Sequence, residues 1–173
     1  MKVQRLLGIC AAVLLFGGPA AASHQGYYRY PAVGGNHVVF TAEGDLWKVP
    51  LEGGVAQRLT THSGYETHAA ISPDGKTIAS TGHYEGPGEV YTVPISGGLP
   101  TRHTFEGDRA EVVGWSPKGE ILYRTRHFST LPNWQVVRLK PDTNQGKVIP
   151  VAQASGAALH QDGTVFFTRL PFQ

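Results

Sequence analysis

The chain has 173 residues, with 15 lysines and arginines, 13 aspartates and glutamates, 22 glycines, 12 prolines and one cysteine. Lys2 and Arg5 lie in an N-terminal stretch without acids, so residues 24–173 carry 13 basic and 13 acidic side chains, with no basic run among them. That balance excludes a nucleic-acid binder, and the position of the lone cysteine, Cys10, leaves the remainder to be held by packing rather than disulfides.

Residues 1–23 read as a secretory signal peptide. Lys2 and Arg5 precede the apolar run 6–16, and the small residues Ala20-Ala21-Ala22-Ser23 follow, with cleavage expected after Ala22 or Ser23. The run is shorter than the roughly 20 residues a membrane span requires, so no stable insertion is expected once the leader is removed. Ile9 before Cys10 is bulky and the apolar run continues past it, which argues against lipidation there. The expected location is outside the cytoplasm, periplasmic or extracellular.

From residue 24 onward the chain repeats itself. Period-2 alternation predicts strands near 27–33, 37–41, 45–51 and 55–60, then near 66–72, 76–81, 89–95 and 100–104. A third set falls near 110–116, 120–126, 135–140 and 146–151. A fourth begins at Ala157, has a strand near 164–169 and ends with Pro171-Phe172-Gln173. The turn glycines Gly75, Gly119 and Gly163 stand 44 residues apart, as do Gly54 and Gly98 at the close of the words Leu46-Trp47-Lys48-Val49-Pro50 and Val90-Tyr91-Thr92-Val93-Pro94. In Ser72-Pro73-Asp74-Gly75, proline presets φ, Asp can accept a backbone hydrogen bond and Gly takes positive φ, which makes a tight hairpin. Ser116-Pro117-Lys118-Gly119 repeats this turn, and Pro141-Asp142-Thr143-Asn144-Gln145-Gly146 replaces the double glycine of the other units.

A period of 40 to 45 residues with four short strands is that of a β-propeller blade. The expected fold is all-β: an incomplete propeller of four-stranded antiparallel blades over 24–173, three blades near 27–61, 66–105 and 110–151 and part of a fourth near 157–173. Such a set does not close a ring, so the last strand and the blade flanks should expose unpaired backbone groups and apolar surface, leaving the isolated segment marginal or aggregation-prone.

The repeated words are structural, and chemistry is sought in the irregular loops. The turns between first and second and between third and fourth strands are Gly and Pro words, while the other loops, on the opposite face, carry rings and acids. His62, Tyr65, His83, Tyr84, Glu85, His127, Phe128 and Trp134 are the candidate peptide-contact residues, since such side chains combine area with a hydrogen-bonding tip. No metal site is expected: His62 and His68 are six apart, His83, His103 and His127 are scattered over two blades with no close paired spacing, and Ser-Pro-Asp-Gly lacks the alternating oxygens of a calcium loop. No Gly-x-Ser-x-Gly elbow, cysteine nucleophile or glycine-rich phosphate loop is present after the leader, so neither catalytic residues nor a cofactor site are assigned.

The words Tyr27-Tyr28-Arg29-Tyr30-Pro31, Asp45-Leu46-Trp47-Lys48-Val49-Pro50, Arg58-Leu59-Thr60 and Val112-Val113-Gly114-Trp115, with Ser-Pro-Asp-Gly among them, resemble the opening of tricorn-type serine peptidases. The resemblance covers essentially all of 24–173. It implies a longer peptidase that degrades oligopeptides, with propellers that filter or channel chains toward a catalytic region absent from these residues. It also implies peptides, the rest of the parent polypeptide and further copies of it in a large homo-oligomer as partners. Ser-Pro-Asp-Gly alone is shared with TolB-type envelope propellers and with prolyl-oligopeptidase caps. Those two alternatives stay open on the residues.

Overall fold

The computed structural model describes residues 26–169. The predicted leader and the terminal Pro171-Phe172-Gln173 lie outside them. The described residues form fourteen strands and no helix.

β1 (Arg29–Gly34), β2 (His37–Ala42), β3 (Asp45–Pro50) and β4 (Gln57–Arg58) make the first sheet, in the order β1-β2-β3-β4. β5 (Tyr65–Ile71), β6 (Thr77–His83), β7 (Glu89–Pro94) and β8 (Thr101–Arg102) make the second. β9 (Glu111–Trp115), β10 (Ile121–Thr125), β11 (Gln135–Lys140) and β12 (Gln145–Val148) make the third, and β13 (Ala154–Leu159) pairs with β14 (Val165–Arg169) in a hairpin. All pairings are antiparallel. The first strands stack in succession, β1 on β5, β5 on β9 and β9 on β13, which puts them at the hub of an open fan of blades. This is the incomplete all-β propeller expected from the repeat.

The turn words act as their chemistry requires. Gly75 N donates to Ser72 O at 2.8 Å, Ser72 Oγ donates to Asp74 Oδ1 at 2.6 Å, and Gly75 sits at φ 72°. Gly119 N donates to Ser116 O at 3.0 Å and Gly163 N to His160 O at 3.1 Å. In the third blade Asn144, at φ 54°, fills the left-handed slot and donates its N–H to Lys140 O at 2.8 Å. Asn is among the few side chains that tolerate that region.

The outer strands β4 and β8 have two residues each, fewer than the five or six expected, and a hydroxyl is the reason. Leu59 N donates to Leu46 O at 2.8 Å, but Leu46 N then donates to Thr60 Oγ1 at 2.9 Å, so the ladder ends on a side chain. His103 N to Val90 O and Val90 N to Thr104 Oγ1, both 2.8 Å, repeat the device 44 residues later. β13 begins at Ala154, three residues ahead of the expected start at Ala157.

The core lies between blades. Val39 and Leu46 pack on Ile78 and Val93 across the first junction. Ala79 and Val90 pack with Val112, Ile121 and Val137 across the second. Leu122 and Val136 pack with Ala154 and Val165 across the third. Tyr28 and Val33 on the first sheet and Phe166 and Phe167 on the last hairpin remain exposed.

Candidate functional site

The loops that carry the candidate residues are pinned by the same backbone repeat. Glu66 N donates to Gly44 O and Ala110 N donates to Gly88 O, both at 2.8 Å, so each blade's first strand hangs from the turn region of the blade before it. The β5–β6 ladder, in which Tyr65 faces His83, brings the β4–β5 connection and the β6–β7 loop into contact. Gly64 lies so close that a Cβ there would stand 2.3 Å from the carbonyl oxygen of His83.

Four of the eight candidates meet at this contact. The His62 and Tyr84 rings are 4.1 Å apart, and Tyr65 stacks on His83 at 4.0 Å with 11° between the planes. His62 and Tyr65 are exposed, whereas His83 and Tyr84 are half-buried. Tyr84 also leans on Tyr91 at 4.5 Å, and its hydroxyl donates to Glu66 Oε1. Burial pushes the Tyr84 phenol far above its usual range, and the Glu66 carboxylate that accepts from it adds to the effect. Tyr84 is therefore a fixed neutral donor, a wall of the site rather than a reactive group. Burial likewise holds the His83 imidazole below its ordinary value, which keeps it neutral at pH 7.

The other candidates sit apart. Glu85 is taken up by Arg102, Nη1 to Oε2 at 2.9 Å. His127 and Phe128 meet edge to face at 4.9 Å on the β10–β11 loop. Trp134, at the far end of that loop, lies under the guanidinium groups of Arg124 and Arg126, at 4.9 and 5.2 Å from the ring centre. The single contact face expected from the loops thus consists of a four-ring cluster between blades 1 and 2 and a second aromatic group on blade 3.

Two polar features had no clear mark in the sequence. Glu66 is fully buried, and its carboxyl is raised by that burial, with the Tyr84 and Thr60 hydroxyls opposing and Asp45 reinforcing the shift. An acid entering a strand beside Tyr65 and Thr67 is the one signal that could have drawn attention to it. The second feature is at the hub, where β1 and β5 each carry a bulge that sets Tyr30 and His68 at φ 51° and 52°, with their rings 4.4 Å apart. Side chains rarely adopt that region. In β9 the irregularity falls between Val112 and Gly114, because β-branched Val112 resists positive φ. These two rings, Val112, Val113 and Arg124 line a cleft of about 340 Å³. Burial lowers the His68 imidazole, partly offset by Glu111.

Among the described residues, no group of three or more His, Cys, Asp or Glu side chains converges as a metal ion would require. The arrangement offers aromatic area and imidazole nitrogens on one rim.

Residues 25–173 match the family described as the tricorn protease N-terminal beta propeller domain. Tricorn protease homolog 1 of Streptomyces coelicolor is 43% identical over 68 residues, 39% of this chain and 6% of that relative. A tricorn-like protease N-terminal subunit of Sulfurisphaera tokodaii is 44% identical over 57 residues, 33% of this chain and 29% of the relative. The chain thus spans less than a third of the length of either relative. The crystal structure of the tricorn protease superposes with a TM-score of 0.71 over 82% of this chain and 15% of its own, at 19% identity. TolB from Acinetobacter baumannii gives 0.66 over 84% and 38%, at 17% identity. At such identities the two structures speak for the fold alone. The match over residues 25–173 identifies the chain as a member of the tricorn protease N-terminal β-propeller domain family.

Proposed function

We propose that this propeller segment belongs to an exported tricorn-type serine peptidase and admits oligopeptides to a catalytic region carried elsewhere in the parent polypeptide. The observation that carries the reading is the gathering of His62, Tyr65, His83 and Tyr84 on one rim of a family propeller. Rigid rings with polar tips hold peptide chains at small entropic cost. Trp134, braced by two arginines, gives a second foothold on blade 3. Export rests on the leader, and a mature N-terminus at Ser23 or His24 is its check.

The gating role is tested in the parent polypeptide with Tyr65→Ala and Trp134→Ala combined. Expected is a fall of about tenfold in kcat/KM for a long oligopeptide, with turnover of a single-residue chromogenic substrate unchanged. Equal kinetics on both substrates, mutant against wild type, would remove the proposal.

A further inference from the structure

The two imidazoles of the four-ring cluster are held in opposite tautomers. His62 Nδ1 accepts the N–H of Gly64 at 2.9 Å, so in the neutral ring the proton sits on Nε2, which is a donor. His83 Nδ1 lies 3.3 Å from Tyr65 O. A carbonyl oxygen can only accept, so Nδ1 carries the proton and Nε2 is left with its lone pair.

Each ring is also held by a phenol against it, Tyr84 tilted at 41° to His62 and Tyr65 stacked on His83. Gly88 places no side chain over the acceptor edge of His83, where a Cβ would lie 2.8 Å from Nε2. Gly88 is not among the residues at positive φ, so room rather than backbone conformation calls for glycine here. The rim therefore presents one donor and one acceptor, both uncharged, between flat apolar surfaces.

We infer that His62 and His83 read the main chain of an extended peptide, His62 Nε2–H donating to a peptide carbonyl and His83 Nε2 accepting a peptide N–H. Main-chain groups are the ligand chemistry that supplies an acceptor and a donor in alternation whatever the side chains, as in strand addition to a sheet edge. An anion would be matched by two donors and a cation by two acceptors; a mixed neutral pair suits neither. The inference rests on the peptide-gating reading and assigns its specificity to backbone rather than to residue type.

Phenylalanine at either position keeps the stacking and removes only the ring nitrogens. In the parent polypeptide, His62→Phe and His83→Phe are each expected to raise KM for a long oligopeptide about tenfold with kcat unchanged. An ester scan of that oligopeptide, replacing one N–H at a time by oxygen, adds a sharper readout. At one position the ester raises KM in the wild type and in His62→Phe but has no further effect in His83→Phe. Nitrogen-15 shifts of the wild-type rings should show an Nε2–H tautomer at His62 and an Nδ1–H tautomer at His83. Unchanged KM in both phenylalanine variants, or the same tautomer in both rings, overturns the assignment. If Tyr65→Ala with Trp134→Ala still lowers long-peptide turnover in that case, gating stands and only the backbone reading is lost. If neither set moves KM, both are lost.

Discussion

The junction between blades 1 and 2 and the junction between blades 2 and 3 are built from the same words 44 residues apart, yet their buried polar groups are treated differently. At the second junction Glu89, 2% exposed, accepts from the Thr104 hydroxyl, from Gly107 N at 3.1 Å and from Arg102 Nη2 at 3.2 Å. Thr81 Oγ1 there accepts Val112 N at 2.9 Å. At the first junction Asp45 stands in the place of Glu89 and is one methylene shorter. It holds Arg58 through Oδ2, but among the described residues its Oδ1 has no hydrogen-bond partner. Thr41 Oγ1 and Glu66 Oε2 are buried and unpartnered as well. His68 occupies the place of Val112 and is turned into its left-handed bulge, so Thr41 receives no amide like the one Thr81 receives. One junction is a closed hydrogen-bond network, and the other, beneath the four-ring rim, keeps buried oxygens in reserve. Unpaired buried groups cost stability and concentrate where a protein does something.

The largest expected effect breaks the closed network. Glu89→Ala leaves the Thr104 hydroxyl and Gly107 N without their acceptor and takes from Arg102 one of its two carboxylate partners, and should cost about 3 kcal/mol in urea unfolding. Asp45→Ala removes a buried carboxylate with one ion-pair partner, the half-exposed Arg58, and one oxygen that already lacks a bond, and should cost about 1 kcal/mol. Equal losses would mean that the two junctions are equivalent after all.

That contrast also marks what the sequence made legible. Gly75, Gly119 and Gly163 announced the blades because a turn needs positive φ at a fixed place, and local chemistry of that kind is written residue by residue. The word Arg58-Leu59-Thr60 was visible as a repeat, but its work was not: Thr60 Oγ1 ends the ladder on Leu46 N while Arg58 reaches back to Asp45. These are contacts across 13 and 14 residues that depend on the strand pairing. For the rim, ring-bearing segments could be read from composition, whereas the pairing of Tyr65 with His83 depends on the register of β5 on β6, and that of His62 with Tyr84 on how closely Gly64 lets the flanking loops approach. The hub bulges at Tyr30 and His68 had little local signal: tyrosine does not favour the left-handed region, and histidine, though enriched there among non-glycine residues, mostly adopts other conformations.

The second effect separates the junctions by pH. Burial raises the Glu66 carboxyl above its ordinary 4.5, so folding favours the protonated acid. Below 4.5 the folded and unfolded chains both hold the proton and Glu66 contributes no pH dependence. As pH climbs from 4.5 through the raised folded value, the unfolded chain releases its proton first, stability falls, and the loss is then constant. Glu66→Gln keeps an oxygen for the Tyr84 hydroxyl and removes that loss. Expected is a gain of about 1 kcal/mol at pH 7 that vanishes at pH 4. A variant that is less stable than wild type at pH 7, or equally shifted at both pH values, would show that the ionised carboxylate is wanted at this site.

The smallest effect turns one junction into the other. Asp45→Glu supplies the methylene that lets Glu89 reach Thr104 Oγ1 and Gly107 N, and the matching groups at the first junction are Thr60 Oγ1 and Ser63 N. Leu46 N already donates to Thr60 Oγ1 as Val90 N does to Thr104 Oγ1, so the hydroxyl is in place to give its own proton to a longer acid. A gain of about 0.5 kcal/mol in urea unfolding is expected, since a second bonded oxygen is partly offset by the tighter packing of a larger side chain. Combined with Glu66→Gln the two gains should fall short of additive, because both changes act on the Thr60 hydroxyl. Full additivity would place Thr60 outside the coupling and leave the unpartnered oxygens of the first junction as independent sites.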